Sequence, residues 1–510
     1  MSEQRRAVSH GDDEDAVLAS LGYTSEFKRE MSFWGNFSLG FTYLSPVVGV
    51  YTLFGFALAT GGGPMIWAVV LAAVGQLLVA LVFGEVVSQY PVSGGIYPWT
   101  RRLWGRRWAW MAGWIYMLAL VVTISSVSYG AGPFVAILFG FEPSTNITIL
   151  CALGLIALVT VLNFGGTRLL AKVAFFGFAA ELAGAVVVGG WLLLTERHQG
   201  LGVMFDTSAV VTNGSYLPAF LAAALLGVYL YYGFEACGDV AEEVKNPRVQ
   251  IPKSMRMTIY IGGFASFFIT FALLLSVPDI GAVISGADPD PVTTILSDAF
   301  GPVGFRFVIG IVLISFFSCA LSLQAAGSRL IYSYARDQMM PGSSLLSRFS
   351  VGRAVPPYAL LLAAAVPALI VIGSKVSEDA LTKIVSFAAL GIYLGFMMVV
   401  LAALRARFKG WQPSGKFRLG RMGMPVTIAA FAYQLLAAVN MAWPRTPESA
   451  WYDNYIVLLS AVIVVGAGLV YMAAARPYLR KDAPHGDAIP ALTGTAAGAS
   501  EDRQTEAADS

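Results

Sequence analysis

Two glutamates stand where a chain this apolar has no ordinary use for charge. Glu235 closes the run Gly227-Val-Tyr229-Leu-Tyr231-Tyr232-Gly233-Phe-Glu235, and Glu181 sits between Ala179-Ala180 and Leu182-Ala183-Gly184. A carboxylate near the centre of a bilayer costs about 2.5–3.5 kcal/mol on insertion scales, so such a group faces protein or water. Two uses are open for each: carrying a proton, or acting as a hydrogen-bonded strut in the bundle. Tyr229, Tyr231 and Tyr232 crowd the approach to Glu235, and Tyr43 and Tyr51 lie in the first apolar stretch. Aromatic faces hold an ammonium by cation–π attraction worth up to about 2 kcal/mol when dry; core packing is their alternative use. That first stretch reads Gly40-Phe-Thr-Tyr-Leu-Ser45-Pro46-Val47-Val48-Gly49-Val-Tyr51. Pro46 removes a donor and clashes with the preceding turn, while glycine tolerates unwound geometry. Backbone N–H groups at a half-helix start suit an anionic group. Elsewhere, Glu85 reads as an ion-pair partner for nearby Arg101 and Arg102. Glu242, Glu243, Lys245 and Arg248 read either as gate ion pairs or as a solvated cluster.

The elements that must hold these residues follow from composition. Of 510 residues, 57% are apolar and 13% charged, about half the roughly 25% usual in soluble domains. Too few charges remain to cover a soluble exterior. A net charge of +2 also argues against a nucleic-acid binder. Because lipid cannot satisfy backbone polar groups, apolar runs of about 20 residues must be helices. Twelve are predicted: 36–60, 64–89, 108–132, 147–163, 169–195, 216–236, 257–277, 303–334, 357–373, 384–404, 424–443 and 455–475. Polar residues, several of them acidic, precede the first run, so no cleavable signal peptide is expected there. With the N-terminus placed inside, 28 of the 33 Lys and Arg residues fall on the inner side, the bias expected of cytoplasmic loops. Both termini are then cytoplasmic. Residues 1–30 and 479–510, rich in Ala, Asp, Gly and Ser, are expected to be disordered tails.

Interruptions in the first and sixth spans are what two five-helix inverted repeats would produce, with a binding site between them at mid-membrane. A simple kink at Pro46 and close glycine packing is the other reading. Enzyme chemistry has little to work with. His10, His198 and His485 all fall outside the spans, Cys151, Cys237 and Cys319 give no metal spacing, and no GxxxxGK[ST] loop is present. No cofactor or metal is expected.

Three motifs then carry a resemblance. Gly84-Glu85-Val-Val-Ser-Gln-Tyr-Pro91-Val-Ser93-Gly94-Gly95-Ile-Tyr97 follows span two. Phe234-Glu235, then Glu242-Glu243-Val-Lys245-Asn246-Pro247-Arg248 and Ile251-Pro252, follow span six. Ser328-Arg329-Leu-Ile-Tyr332, Ala335-Arg336-Asp337 and Pro341 end span eight. In this order they resemble the amino acid–polyamine–organocation transporter superfamily over about residues 20–475. The opening Leu21-Gly22-Tyr23 and Glu26-Phe27-Lys28-Arg29 resembles its branch of GABA, choline and amino-acid permeases. The resemblance implies an all-α, LeuT-like fold of about 12 helices, a five-plus-five inverted repeat with helices one and six broken. It places repeat one at about 36–195, repeat two at about 216–404 and extra helices at 424–475, within a transporter domain spanning 31–478. It also implies a permease for an amino acid or related amine, commonly driven by H⁺ and sometimes by Na⁺ or exchange, set in the cell membrane. Substrate contacts are expected from Ser45, Val47, Val48, Gly49, Tyr229, Tyr231, Tyr232 and Gly233, and coupling or gating from Glu235 and Glu181. Relatives carry a Gly-Ser-Gly-like triplet where this chain has Val47-Val48-Gly49, so the bulkier valines narrow the pocket. A choline or polyamine permease, a channel and a non-transporting membrane sensor are the competing readings.

Overall fold

The computed structural model describes residues 14–142, 144–210, 214–375, 387–481 and 483–490. Among them, ten helical stretches are long and apolar enough to cross a bilayer, and two shorter apolar helices complete the predicted twelve. The first span is two helices, α1 (Phe33–Leu44) and α2 (Pro46–Gly61). Next come α3 (Ile66–Gln89), the short α4 (Ile96–Leu103), α5 (Arg106–Phe139), α6 (Thr145–Asn163) and α7 (Thr167–Thr195). The sixth span is again split, into α8 (Leu217–Leu230) and α9 (Ala236–Asp239). The remaining spans are α10 (Pro247–Ser276), α11 (Pro291–Arg336), α12 (Pro357–Gly373), α13 (Phe387–Phe408), α14 (Gly423–Ala442) and α15 (Ile456–Ala475). Part of the predicted span 384–404 lies outside the described residues.

Packing repeats with a period of five spans. Helix α3 packs on α10 and α5 on α11, each pair five spans apart. The contact of α5 with α13 is matched by that of α11 with α7. Likewise α5 on α6 is matched by α11 on α12, and α6 on α11 by α12 on α5. Because five is odd, the matched helices run in opposite directions, and the two repeats are inverted. Helices α14 and α15 stand outside this pattern, against α13, α3 and α5.

Loops gather on two faces. One, here the terminal face, brings together residues 14–31, α4, the turn after α9, the end of α11, residues 409–419 and the segment 477–490. Here Met31 N donates to Glu243 O at 2.9 Å and Lys245 N to Met31 O at 3.0 Å. The segments grouped by the basic-residue count meet on this face. The other face carries residues 198–206 and Ile280–Ser285, where His198 and Gln199 N–H groups share Leu275 O.

The expected disorder of the tails needs correction for the described part. Leu18, Leu21, Tyr23 and Phe27 are buried. Gly486 N donates to Arg101 O at 2.8 Å and Ala488 N to Arg102 O at 3.2 Å. A few apolar residues that pack on the end of α11, and backbone pairing with α4, order segments whose composition alone is that of a loose tail. Residues 1–13 and 491–510 lie outside the described residues.

Candidate functional site

Span one breaks at a single residue. Ser45 takes left-handed angles (φ 44°, ψ 85°), ending α1, and Pro46 opens α2 where its missing N–H is no loss. Span six unwinds over Tyr231–Glu235, with Gly233 at φ 115°. The two breaks touch. A Cβ on Gly233 would sit 2.5 Å from Leu44 N and 2.9 Å from Tyr43 C, so only glycine allows the backbones to cross this closely. Freed carbonyls find partners: Tyr393 OH donates to Val228 O at 3.0 Å, and the Cys319 thiol to Tyr43 O at 3.4 Å. Helix breaks at this depth require such partners.

Glu181 comes from α7 to the start of α2. Its Oε1 accepts from Ser45 Oγ at 2.7 Å and from Val47 N at 3.0 Å, while its buried Oε2 has no hydrogen-bond partner. The carboxyl therefore occupies one of the donors expected to hold a substrate carboxylate. Another, Gly49 N, bonds Ser45 O at 3.1 Å. Val47 and Val48 are buried beside them, and Gly49 faces Leu230, which a Cβ would approach to 2.5 Å.

Glu235 closes the second break. Its Oε2 accepts from Gly233 N at 2.7 Å and its Oε1 from the Tyr116 hydroxyl of α5 at 3.0 Å. Asp239, one turn further, lies 3.4 Å from the same hydroxyl and is also fully buried. Tyr232 links Tyr43, at 6.1 Å between ring centroids, to Tyr229, at 5.4 Å, both edge to face. Tyr231 points elsewhere: its hydroxyl reaches Gly263 O on α10 at 3.4 Å. The structure thus brings Ser45, Val47 and Glu181 together at one break. Tyr229, Tyr232, Gly233 and Glu235 line the other, and Tyr231 packs behind it.

Below the breaks, on the terminal face, ion pairs close the bundle. Arg329 Nε meets Glu243 Oε1 at 2.8 Å with both side chains fully buried, and Thr167 donates to the same glutamate. Arg336 holds Glu242 at 3.0 Å, and Arg101 holds Asp337 at 2.8 Å. Tyr97 and Tyr23 donate to Asp337 at 2.9 and 3.0 Å. Of the two readings of the Glu242–Glu243 cluster, the structure excludes the solvated one: both glutamates are buried in ion pairs. Lys245 gives only its backbone N–H, to Met31, and Arg248 Nε donates to Ser88 O. Glu85 pairs with Arg407 and Leu419 N, not with Arg101 or Arg102, because α4 turns those arginines toward the end of α11 and the C-terminal segment.

Sequence reasoning missed Tyr116, Asp239, Cys319 and Tyr393. Asp239 had a signal: it lies four residues after Glu235, hence on the same helical face. Ending span six at 236 had put it in a loop.

Residues 31–486 match the family model described as "Amino acid permease". The chain is 25% identical over 471 residues to amino-acid permease BAT1 of Arabidopsis thaliana, covering 86% of this chain and 91% of that protein. It is 26% identical over 479 residues to the BAT1 homolog of Oryza sativa subsp. japonica, with 88% and 92% covered. A putative polyamine transporter of Candida albicans is 24% identical over 521 residues, with 93% and 91% covered.

Proposed function

Because the chain belongs to the amino acid permease family, we propose that it is a secondary active transporter carrying an amino acid or related amine such as GABA, coupled to an ion gradient or exchange. The observation that carries this reading is the contact between two broken spans with a buried acid at each, Glu181 and Glu235. Substrate sits between the breaks, and one bundle rocks against the other to expose it to each side in turn. At the second break the Tyr229 and Tyr232 rings offer faces to an ammonium. At the first, the α2 N-terminus offers donors to a carboxylate, which a zwitterion would use together with the rings. Glu181 already sits on the Val47 donor, so a substrate carboxylate enters only as Glu181 gives that donor up, which protonation of Glu181 would favour. The terminal face is the cytoplasmic one, by the weight of its Lys and Arg residues.

That placement of Glu181 also favours a second reading: a cationic amine without a carboxylate, bound at the unpartnered Oε2. Counterflow in proteoliposomes, screened over amino acids, GABA, choline and polyamines, separates these. Saturable exchange of a zwitterion supports the first reading, and exchange of simple amines alone supports the second. Flux without saturation, or none with any of the compounds, overturns both in favour of a channel or sensor. Asp288, half-buried, and Lys409, exposed, are on opposite faces. Cysteines placed there should label from outside and inside the cell respectively, and labelling of both from one side would sink the topology.

A further inference from the structure

Glu235 has a second carboxyl beside it, and one hydroxyl serves both. The Tyr116 O–H lies 3.0 Å from Glu235 Oε1 and 3.4 Å from Asp239 Oδ2. Having one proton, it donates to only one of them at a time. Glu235 is otherwise held by Gly233 N, whereas Asp239 Oδ1 has no hydrogen-bond partner. The Tyr43 hydroxyl, on a side chain 2% exposed, is also without a partner and lies within electrostatic reach of Glu235, Asp239 and Tyr116. The other titratable groups acting on the pair are Cys237, between the two acids in sequence, and Tyr393 from α13. None of these is a cation.

Space for the second acid is built into the turn that leads into α4. A Cβ on Gly95 would stand 2.3 Å from Asp239 Oδ1, and Gly94 N donates to Asp239 O at 3.0 Å. Two residues on, the Tyr97 hydroxyl donates to Asp337. Asp239 thus joins the unwound span to the helix that closes the terminal face.

We propose that Glu235 and Asp239 form a carboxyl pair carrying one proton in common, with Asp239 the second member of the coupling site. Two adjacent carboxylates in a dry interior, with no cation among the groups acting on them, are held most cheaply by a shared proton. The proton arrives from water on one side, binds a carboxylate oxygen of the pair, and leaves to water on the other, with no bond broken elsewhere. Movement of the pair on loading is passed to α4 through Gly94 and Gly95. The proposal rests on the reading of Glu235 as the coupling residue.

The test uses the full-length protein in proteoliposomes. Internal pyranine reports proton entry on addition of a mixture of the twenty amino acids and GABA, and counterflow of the same compounds, labelled, is measured in parallel. In Asp239→Asn, the ratio of proton-driven accumulation to counterflow should fall at least tenfold and lose its pH dependence. Asp239→Glu should restore coupling with a displaced pH midpoint. Tyr116→Phe, which keeps both acids, should shift the midpoint. Full proton-driven accumulation in Asp239→Asn with the wild-type pH profile overturns the pair while leaving Glu235 in place. Wild-type uptake indifferent to the proton gradient overturns the coupling reading itself. If Asp239→Asn does not fold, Asp239→Glu decides: an unchanged pH midpoint there overturns the proposal.

Discussion

The two ends of the bundle are closed by different physics. At the terminal face, Arg329–Glu243, Arg336–Glu242 and Arg101–Asp337 are fully or largely buried pairs. At the opposite face, closure is close packing. A Cβ on Gly61 would come within 2.4 Å of Ala223 Cβ, and one on Gly227 within 2.6 Å of Ala68 O. The Tyr216 hydroxyl adds a bond to Gly61 O at 2.7 Å. A buried pair contributes little net stability, yet removing one partner is expensive because the other charge is stranded. Such a closure has two stable conditions, paired or solvated, and little between them. Small-residue packing loosens by degrees. The structure therefore joins a latch at one end to a graded seal at the other.

The largest effect should come from stranding a latch charge. Arg329→Leu leaves Glu243 buried without its guanidinium, at a cost of about 3–5 kcal/mol. The melting temperature should drop, and the buried thiols of Cys237 and Cys319 should become reactive to maleimide. The double variant Glu243→Leu/Arg329→Leu should recover most of the loss, and no recovery would remove the pair from the latch. Next comes Gly227→Leu, which forces α8 off α3 by overpacking worth about 1–3 kcal/mol. A loss greater than that of Arg329→Leu would invert the comparison.

Tyr229→Leu probes the site between the two closures. Losing an ammonium–ring contact of about 1–2 kcal/mol weakens apparent affinity roughly five- to thirtyfold. Unchanged affinity for every carried compound takes Tyr229 out of the site. The smallest effect concerns the C-terminal segment on the latch. Partial burial, then the Arg106 and Arg101 charges, hold His485 below its ordinary range. Docking is thus fully favoured above the usual histidine pKa and weakens as pH falls through the lowered value. Proteolytic release of the segment should rise on acidification and not in His485→Gln. Asp487→Asn keeps an oxygen acceptor for the buried Arg102, which Leu21 O also holds, and should cost about 1 kcal/mol.

Much of this arrangement can be read from residues alone. Span lengths follow from apolar runs, and the first break follows from Pro46, although confining it to Ser45 took the backbone angles. Glu181 and Glu235 stand out because charge is scarce around them. Tyr116 and Cys319 do not, since a hydroxyl or thiol in an apolar run is equally a packing residue until a partner from another span is seen. Ion pairing at Glu242 and Glu243 is one of two readings the residues allow, but their partners are not legible, because Glu243 and Arg329 are 86 positions apart. The tails are misleading by composition: a few buried apolar residues among many polar ones are enough once the end of α11 receives Tyr23 and Phe27 and α4 pairs with Gly486 and Ala488.

Glu181 at the head of α2 bears on how an unloaded carrier turns around. A gradient-driven carrier that does not exchange must return empty, with its recognition groups crossing a medium that penalises unsatisfied donors. Here the Ser45 hydroxyl and Val47 N–H are already satisfied by the Glu181 side chain of the protein itself. On the reading proposed above, that carboxyl stands in for cargo on the return leg. On the same reading it competes with cargo on the outward leg, so that the apparent Kd is the intrinsic one divided by the fraction of carriers in which Glu181 has let go.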